Sequence, residues 1–371
     1  MSPTPNSDPK PNSNSNSDPT LNRRRFLATV GAAGLVGVAG CAGFSTTTVS
    51  SEPPLVENRP PAVYVPTHVE GMEMVGMAEA GDAMVAVTYS YPHRFWTVEQ
   101  DGTEFTTQQV SVESDDTVHL MANVLEPETG VVVPNTGLSV EISTGESLVS
   151  EEVVYPMLSQ QMGFHYGANF PLDGDDVYDV RVGVGATSVK RFGSLSTRLD
   201  EPASATVSFD YREGARNEIS YTEFDESRRG QRDAVAPMSM DMMPVGRPPE
   251  TVPGESLGEG TVGDLVFRGY AVEADRLGDD PYLAVTAATP YNDLVVPGMS
   301  LSARVPDEGT AAFAGRLDPA LDPELGFHYG APVPDLASQA VELAVEIPPQ
   351  VARHEGYETA FLETGSVVLS G

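Results

Sequence analysis

From Val63 onward, apolar and polar residues alternate in short runs separated by turn residues. Met84–Tyr89, Phe105–Val112 and Thr117–Val124 read as strands, rich in β-branched and aromatic residues. Gly137–Ile142 alternates with period two, and Val177–Val184 does so clearly, placing Tyr178, Val180, Val182 and Val184 on one face. Val341–Ile347 repeats the pattern late in the chain. Many short strands with few helical periods predict an all-β sandwich. The one exception is Glu218 to Arg232, which is predicted to form a single polar helix.

The pattern occurs twice. Gly163-Phe164-His165-Tyr166-Gly167 returns as Gly326-Phe327-His328-Tyr329-Gly330, and each copy continues into Ala. At the same offset Leu120 meets Leu283, Val132-Val133-Pro134 meets Val295-Val296-Pro297, and Leu138 meets Leu301. Arg353-His354 falls within one residue of Lys190-Arg191-Phe192. This is a duplicated β domain. The predicted organisation is an N-region and export signal over 1–40, a spacer over 41–60 and a first sandwich over 61–205. A connecting segment over 206–260 and a second sandwich over 261–371 complete it.

Composition adds an address. The 371 residues carry a formal net charge of −33, with a sequence pI near 4.3. Only Lys10 and Lys190 are lysines, a balance that resembles halophilic archaeal proteins. Such a charge argues against nucleic acid as a partner, because a phosphate backbone needs a basic stripe. The first 21 residues are polar and too poor in apolar side chains to fold. Arg23 and Arg24 precede Phe26-Leu27 and a short Gly/Ala-rich apolar run, the form of a twin-arginine export signal. The run ends Val38-Ala39-Gly40-Cys41, like a lipobox. The expected mature chain starts at a lipidated Cys41 on the extracellular face of the cell membrane. Cys41 is the single cysteine, so no intrachain disulfide can form.

Six histidines are present, and His165 and His328 hold the same place in the two pentapeptides. Met157 and Met162 lie just before His165, and His119 lies on a predicted strand. Imidazole with thioether suits copper, Cu(I) above all, whereas Fe(III) asks for more oxygen. Taken singly, each histidine reads better as a hydrogen-bonded structural residue than as a ligand. His68 and His93 are read that way, His93 as packing beside Trp96. Met238, Met240, Met242 and Met243 form a second group of soft donors in the connecting segment. They also suit the cover of an apolar patch.

Taken in order, Thr117-Val118-His119-Leu120, Val133-Pro134, Tyr155-Pro156-Met157 and Gly163-Phe164-His165-Tyr166-Gly167 resemble the periplasmic iron-transport family. These are immunoglobulin-like, copper- and iron-binding, dimeric proteins. The chain also resembles uncharacterised haloarchaeal lipoproteins of the same build. The resemblance implies two tandem immunoglobulin-like domains and a copper site of His119, Met157, His165 and His354, with Met121 and Met162 as further candidates. Copper is the expected ion and iron the alternative. The departures are specific. Met121 stands where the family has Glu, Asn123 where it has Asp, and Phe192 where a late His is expected. In the second copy Tyr282 replaces His119 and Ala320 replaces Met157. Each copy lacks what the other keeps, so the two domains are expected to pack as an internal pseudo-dimer with one composite site.

Nothing resembles a nucleophile–base pair or a phosphate loop, and the expected protein is not an enzyme. A metal permease is the expected partner, beside the membrane reached through Cys41. The competing reading is a surface-binding or structural module of two sandwiches, since fold does not fix function. A blue-copper carrier would need a cysteine other than Cys41.

Overall fold

The computed structural model describes residues 53–369, except 239–242, 308–309, 335 and 337–339. Arg23, Arg24, Cys41, Met240 and Met242 lie outside the described residues, as does the segment expected to carry the export signal. Among the described residues, no helix is long and apolar enough to cross a membrane.

The protein is all-β. An eight-stranded sheet runs in the order Glu73–Ala80, Ala83–Ser90, Asp116–Leu125, Gly163–Pro171, Tyr155–Ser159, Ala352–Arg353, Phe95–Asp101 and Glu104–Val110. A four-stranded sheet of Ala203–Tyr211, Asp176–Val184, Leu138–Thr144 and Ser147–Val153 accompanies it. The alternation read from sequence explains how the two layers meet. Tyr178, Val180, Val182 and Val184 share one buried cluster with Val118, Leu120, Phe164 and Phe170. Each such side chain withdrawn from water contributes about 1.5–3 kcal/mol. Consequently the other face of the large sheet carries His119 and Met121 on one strand, and His165, Gly167 and Asn169 on its neighbour.

The second half repeats this plan. Its strands Tyr282–Ala288, Ser300–Asp307, Thr310–Asp322, Gly326–Pro332 and Val341–Ile347 follow the duplication. Thr310–Asp322 is a single long strand, pairing first with Ser300–Asp307 and then with Gly326–Pro332. In the first half the same stretch is split into Ser147–Val153 and Tyr155–Ser159. The hairpin of Phe95–Asp101 and Glu104–Val110 is an addition of the first half. The second half opens on Glu255–Val262, paired with Leu265–Val272.

The halves exchange short strands. Ala352–Arg353 lies parallel to Tyr155–Ser159 in the first half's sheet, with Ala352 opposite Met157. Reciprocally, Lys190–Arg191 lies parallel to Thr310–Asp322, with Lys190 opposite Ala320. Arg353 also pairs with Trp96, so the donated strand is held on both sides. Its guanidinium is fully buried and donates to the carbonyls of Val351 at 2.9 Å, Pro349 at 3.1 Å and Phe361 at 3.2 Å. Burial lowers its pKa to about 9.

The polar helix expected over Glu218 to Arg232 does not form. Tyr221–Glu223 is a strand paired with His68–Glu70, and the one described α-helix is the four-residue Glu213–Arg216. Of this segment only Ile219 reaches the core. A helix there would have no apolar stripe to bury, and short helices without one are not stable in water. The extended form instead stacks Tyr221 on His68, with ring centroids 5.0 Å apart.

Candidate metal centre

Four imidazoles converge where the donated strand meets the large sheet. His119 and His165 stand on adjoining strands, and His354 follows directly on Arg353. His93 sits at the head of the added hairpin. Ring centroids are 4.0 Å apart for His93–His119, 4.8 Å for His93–His354, 5.5 Å for His119–His354 and 5.1 Å for His165–His354. Ligand atoms of His93, His119 and His354 all lie within 4.8 Å of one another. Met157 is opposite His165 in the strand register and fully buried.

The hydrogen bonds decide which nitrogen each ring offers, assigned here from the partners. His165 Nδ1 is 3.0 Å from the Gly163 carbonyl, so it carries the proton and donates. His119 Nδ1 is 2.7 Å from Asn169 Oδ1. That oxygen is identified because Asn169 Nδ2 donates to the His93 carbonyl at 3.0 Å. His93 Nδ1 is 3.0 Å from the Tyr91 carbonyl and 3.5 Å from Glu70 Oε2, both acceptors. Its Nε2 is therefore the acceptor in the 3.1 Å contact with His354 Nδ1, which must donate. The result is the same three times. Nε2 of His119, His165 and His354 is buried, deprotonated and without a hydrogen-bond partner.

Unpaired buried nitrogens are costly, about 1–3 kcal/mol each. Three of them in one place, each with its far nitrogen held by an acceptor, is the arrangement that metal-binding histidines show. Burial favours the neutral rings. It lowers the pKa of His165 to about 4, and takes His119 and His354 well below the usual imidazole value, with the neighbouring imidazoles adding to the effect. A neutral imidazole is the form that binds metal.

Gly167 shows how close His119 and Met157 lie. A Cβ there would stand 2.9 Å from His119 Nε2 and 3.2 Å from Met157 Sδ. The residue also faces Met121 across the ladder. Gly163, at φ 66°, makes the left-handed turn that starts the His165 strand, and Gly326 does the same at 63°.

His93 is thus more than packing beside Trp96. Both its nitrogens are occupied, so it positions His354 rather than offering a lone pair of its own. Glu70 stands behind it. Burial alone would raise the Glu70 carboxyl, but hydrogen bonds from His68 and His93 reverse this and bring it to about 2. Asn169, His93 and Glu70 were missed in sequence because their roles depend on partners far along the chain. Met121 and Met162 line the same cavity as His93 and His354, beside the imidazoles.

The second half has the same frame with different contents. His328 Nδ1 is 3.1 Å from the Gly326 carbonyl, as in the first copy. Its Nε2, however, is 3.2 Å from the Tyr282 hydroxyl, which satisfies it. Ala320 is opposite His328 in the register, and Phe192 lies with its ring centroid 6.4 Å from that of His328. No lone pair is left over.

A family model described as domain of unknown function DUF7350 matches residues 250–370, about the last third of the chain. No curated protein matches. Among solved structures, the chain is similar in part to FetP of uropathogenic Escherichia coli strain F11. For the protein isolated from the periplasm, identity is 18%, with 39% of this chain and 96% of that chain covered and a TM-score of 0.27. For a copper-bound variant of it, the figures are 19%, 38%, 97% and 0.28.

Proposed function

We propose that the protein binds one copper ion per chain through Nε2 of His119, His165 and His354 and the thioether of Met157. The observation that carries this is the set of three buried Nε2 atoms without partners, with the Met157 sulfur beside one of them. Three imidazoles and a thioether suit both Cu(I) and Cu(II), and iron is the weaker fit because no carboxylate is among the four donors. All four are neutral. Glu70, reached through His93, supplies a compensating negative charge in support of a bound cation.

On this reading the protein is a metal-binding lipoprotein rather than an enzyme, serving copper or iron acquisition outside the cell. The twin arginines Arg23 and Arg24 and the lipobox at Cys41 support an exported, lipid-anchored chain, with a metal permease as partner. The resemblance of the His119, Met157 and His165 motifs to periplasmic iron-transport proteins supports the same role. The net charge of −33 speaks against nucleic acid.

Titration of purified metal-free protein with Cu(II) tests the site. The expected result is one tight equivalent, lost in His119→Ala and in His165→Ala. Two equivalents in the wild type, or binding unchanged in His165→Ala, overturns it. No uptake of copper and no thermal shift would favour the structural-module reading instead.

A further inference from the structure

Beside the imidazoles lies a separate concentration of soft donors. Met121, Met162 and Met243 are buried and pack together with Ala86, and Met72 and Met77 pack against them. They come from separate parts of the chain. Met72 precedes the first strand of the large sheet and Met77 lies on that strand. Met121 lies on the His119 strand, Met162 in the turn before His165, and Met243 in the connecting segment. Leucine would fill an apolar satellite core as well, and with better-defined rotamers.

Two features separate this cluster from plain packing. First, Met72, Met121 and Met162 wall a cavity of about 120 Å³, which Glu70, His93 and His354 also line. The three methionines therefore border the same space as His93 and His354. Second, the surroundings hold polar atoms that packing alone does not explain. Thr88, opposite Met121 in the ladder, has a buried hydroxyl without a partner, and so does the Asn123 carbonyl oxygen, two residues along from Met121.

We propose that Met72, Met121 and Met162 form a second site, selective for a soft monovalent ion, Cu(I) or Ag(I), at the approach to the imidazole cluster. Two or three neutral sulfurs hold such an ion well and give little to Cu(II) or Fe(III). One positive charge costs less to bury than two, and the Glu70 carboxylate stands on the same cavity wall. The site is separate from the imidazole site, and either can bind without the other.

The test is anaerobic competition of the full mature chain against a chromophoric Cu(I) chelator, run beside Cu(II) titration and Ag(I) absorption spectroscopy. Wild type is expected to take two equivalents of Cu(I) and one of Cu(II). Met72→Leu with Met162→Leu, which conserves core volume, is expected to lose one Cu(I) equivalent and keep Cu(II). His119→Ala with His165→Ala is expected to lose Cu(II) yet retain one Cu(I), and its bound Ag(I) should show a shell of sulfur alone. One Cu(I) equivalent in wild type, two in the leucine variant, or nitrogen in the Ag(I) shell of the histidine variant overturns the thioether site. A wild type that binds no Cu(II), but loses its Cu(I) in the leucine variant, overturns the imidazole reading and leaves this one standing.

Discussion

His93 Nε2 lies 3.1 Å from His354 Nδ1, and this contact determines which nitrogen of His354 is left for a ligand. His93 is anchored in turn by the Tyr91 carbonyl and by Glu70. The relay aims a ring from one half of the chain into a site built by the other.

Removing the relay should weaken the metal site without abolishing it. His93→Phe keeps a ring in place but frees His354 Nδ1. The expected effect is a loss of about 10- to 100-fold in Cu(II) affinity at unchanged stoichiometry, measured by chelator competition. Affinity equal to wild type would remove His93 from the account.

The second half should be convertible. Tyr282→His, Ala320→Met and Phe192→His together restore in it the four donors of the first. Tyr282→His also releases His328 Nε2 from its present partner. The triple variant is expected to bind two Cu(II) per chain, whereas Phe192→His alone should leave one. A triple variant that folds and still binds one shows that the frames differ more than their strands do.

Gly167→Ala places a methyl group 2.9 Å from His119 Nε2 and 3.2 Å from Met157 Sδ. Overpacking of this kind costs about 1–3 kcal/mol. Copper binding should fall more than thermal stability does, because the displaced atoms are the donors themselves. A variant that loses melting temperature but binds copper as before would contradict this placement.

Acid should destabilise the second half through His328. Burial, against the opposing Gly326 hydrogen bond, lowers its pKa from 6.5 to about 4. The unfolded chain therefore binds a proton in this window that the folded chain refuses. The stability is fully present above pH 6.5 and is lost as pH falls towards 4, by roughly 3 kcal/mol in all. His328→Gln should reduce the pH dependence of urea unfolding between these values, leaving the part that the buried His119, His165 and His354 contribute. An unchanged slope would show that His328 is not the titrating group.

The fold class was legible because alternation is a local signal, as in Tyr178, Val180, Val182 and Val184. The repeated pentapeptide pointed to His165, and its neighbours led to His119, Met157 and His354, which the fold brings around one space. His93 was not legible, since Tyr91-Pro92-His93 precedes a strand and belongs to no period. Nothing local announces that its partners are Glu70 and His354. The Glu218 to Arg232 segment was misread because polar composition alone cannot separate a helix from an extended strand held by a distant partner, here His68–Glu70.

The strand exchange ties the proposed metal site to both halves of the fold. His119, Met157 and His165 come from the first half, but the fourth proposed donor follows Arg353, far along the chain. A chain stopped before that point also leaves the edge of Tyr155–Ser159 without its parallel neighbour. Closing so long a loop is slow, because contacts far apart in sequence form late. If copper is bound as proposed, its loading would act as a proofreading mark, because a chain that holds the ion at full affinity has folded both of its halves.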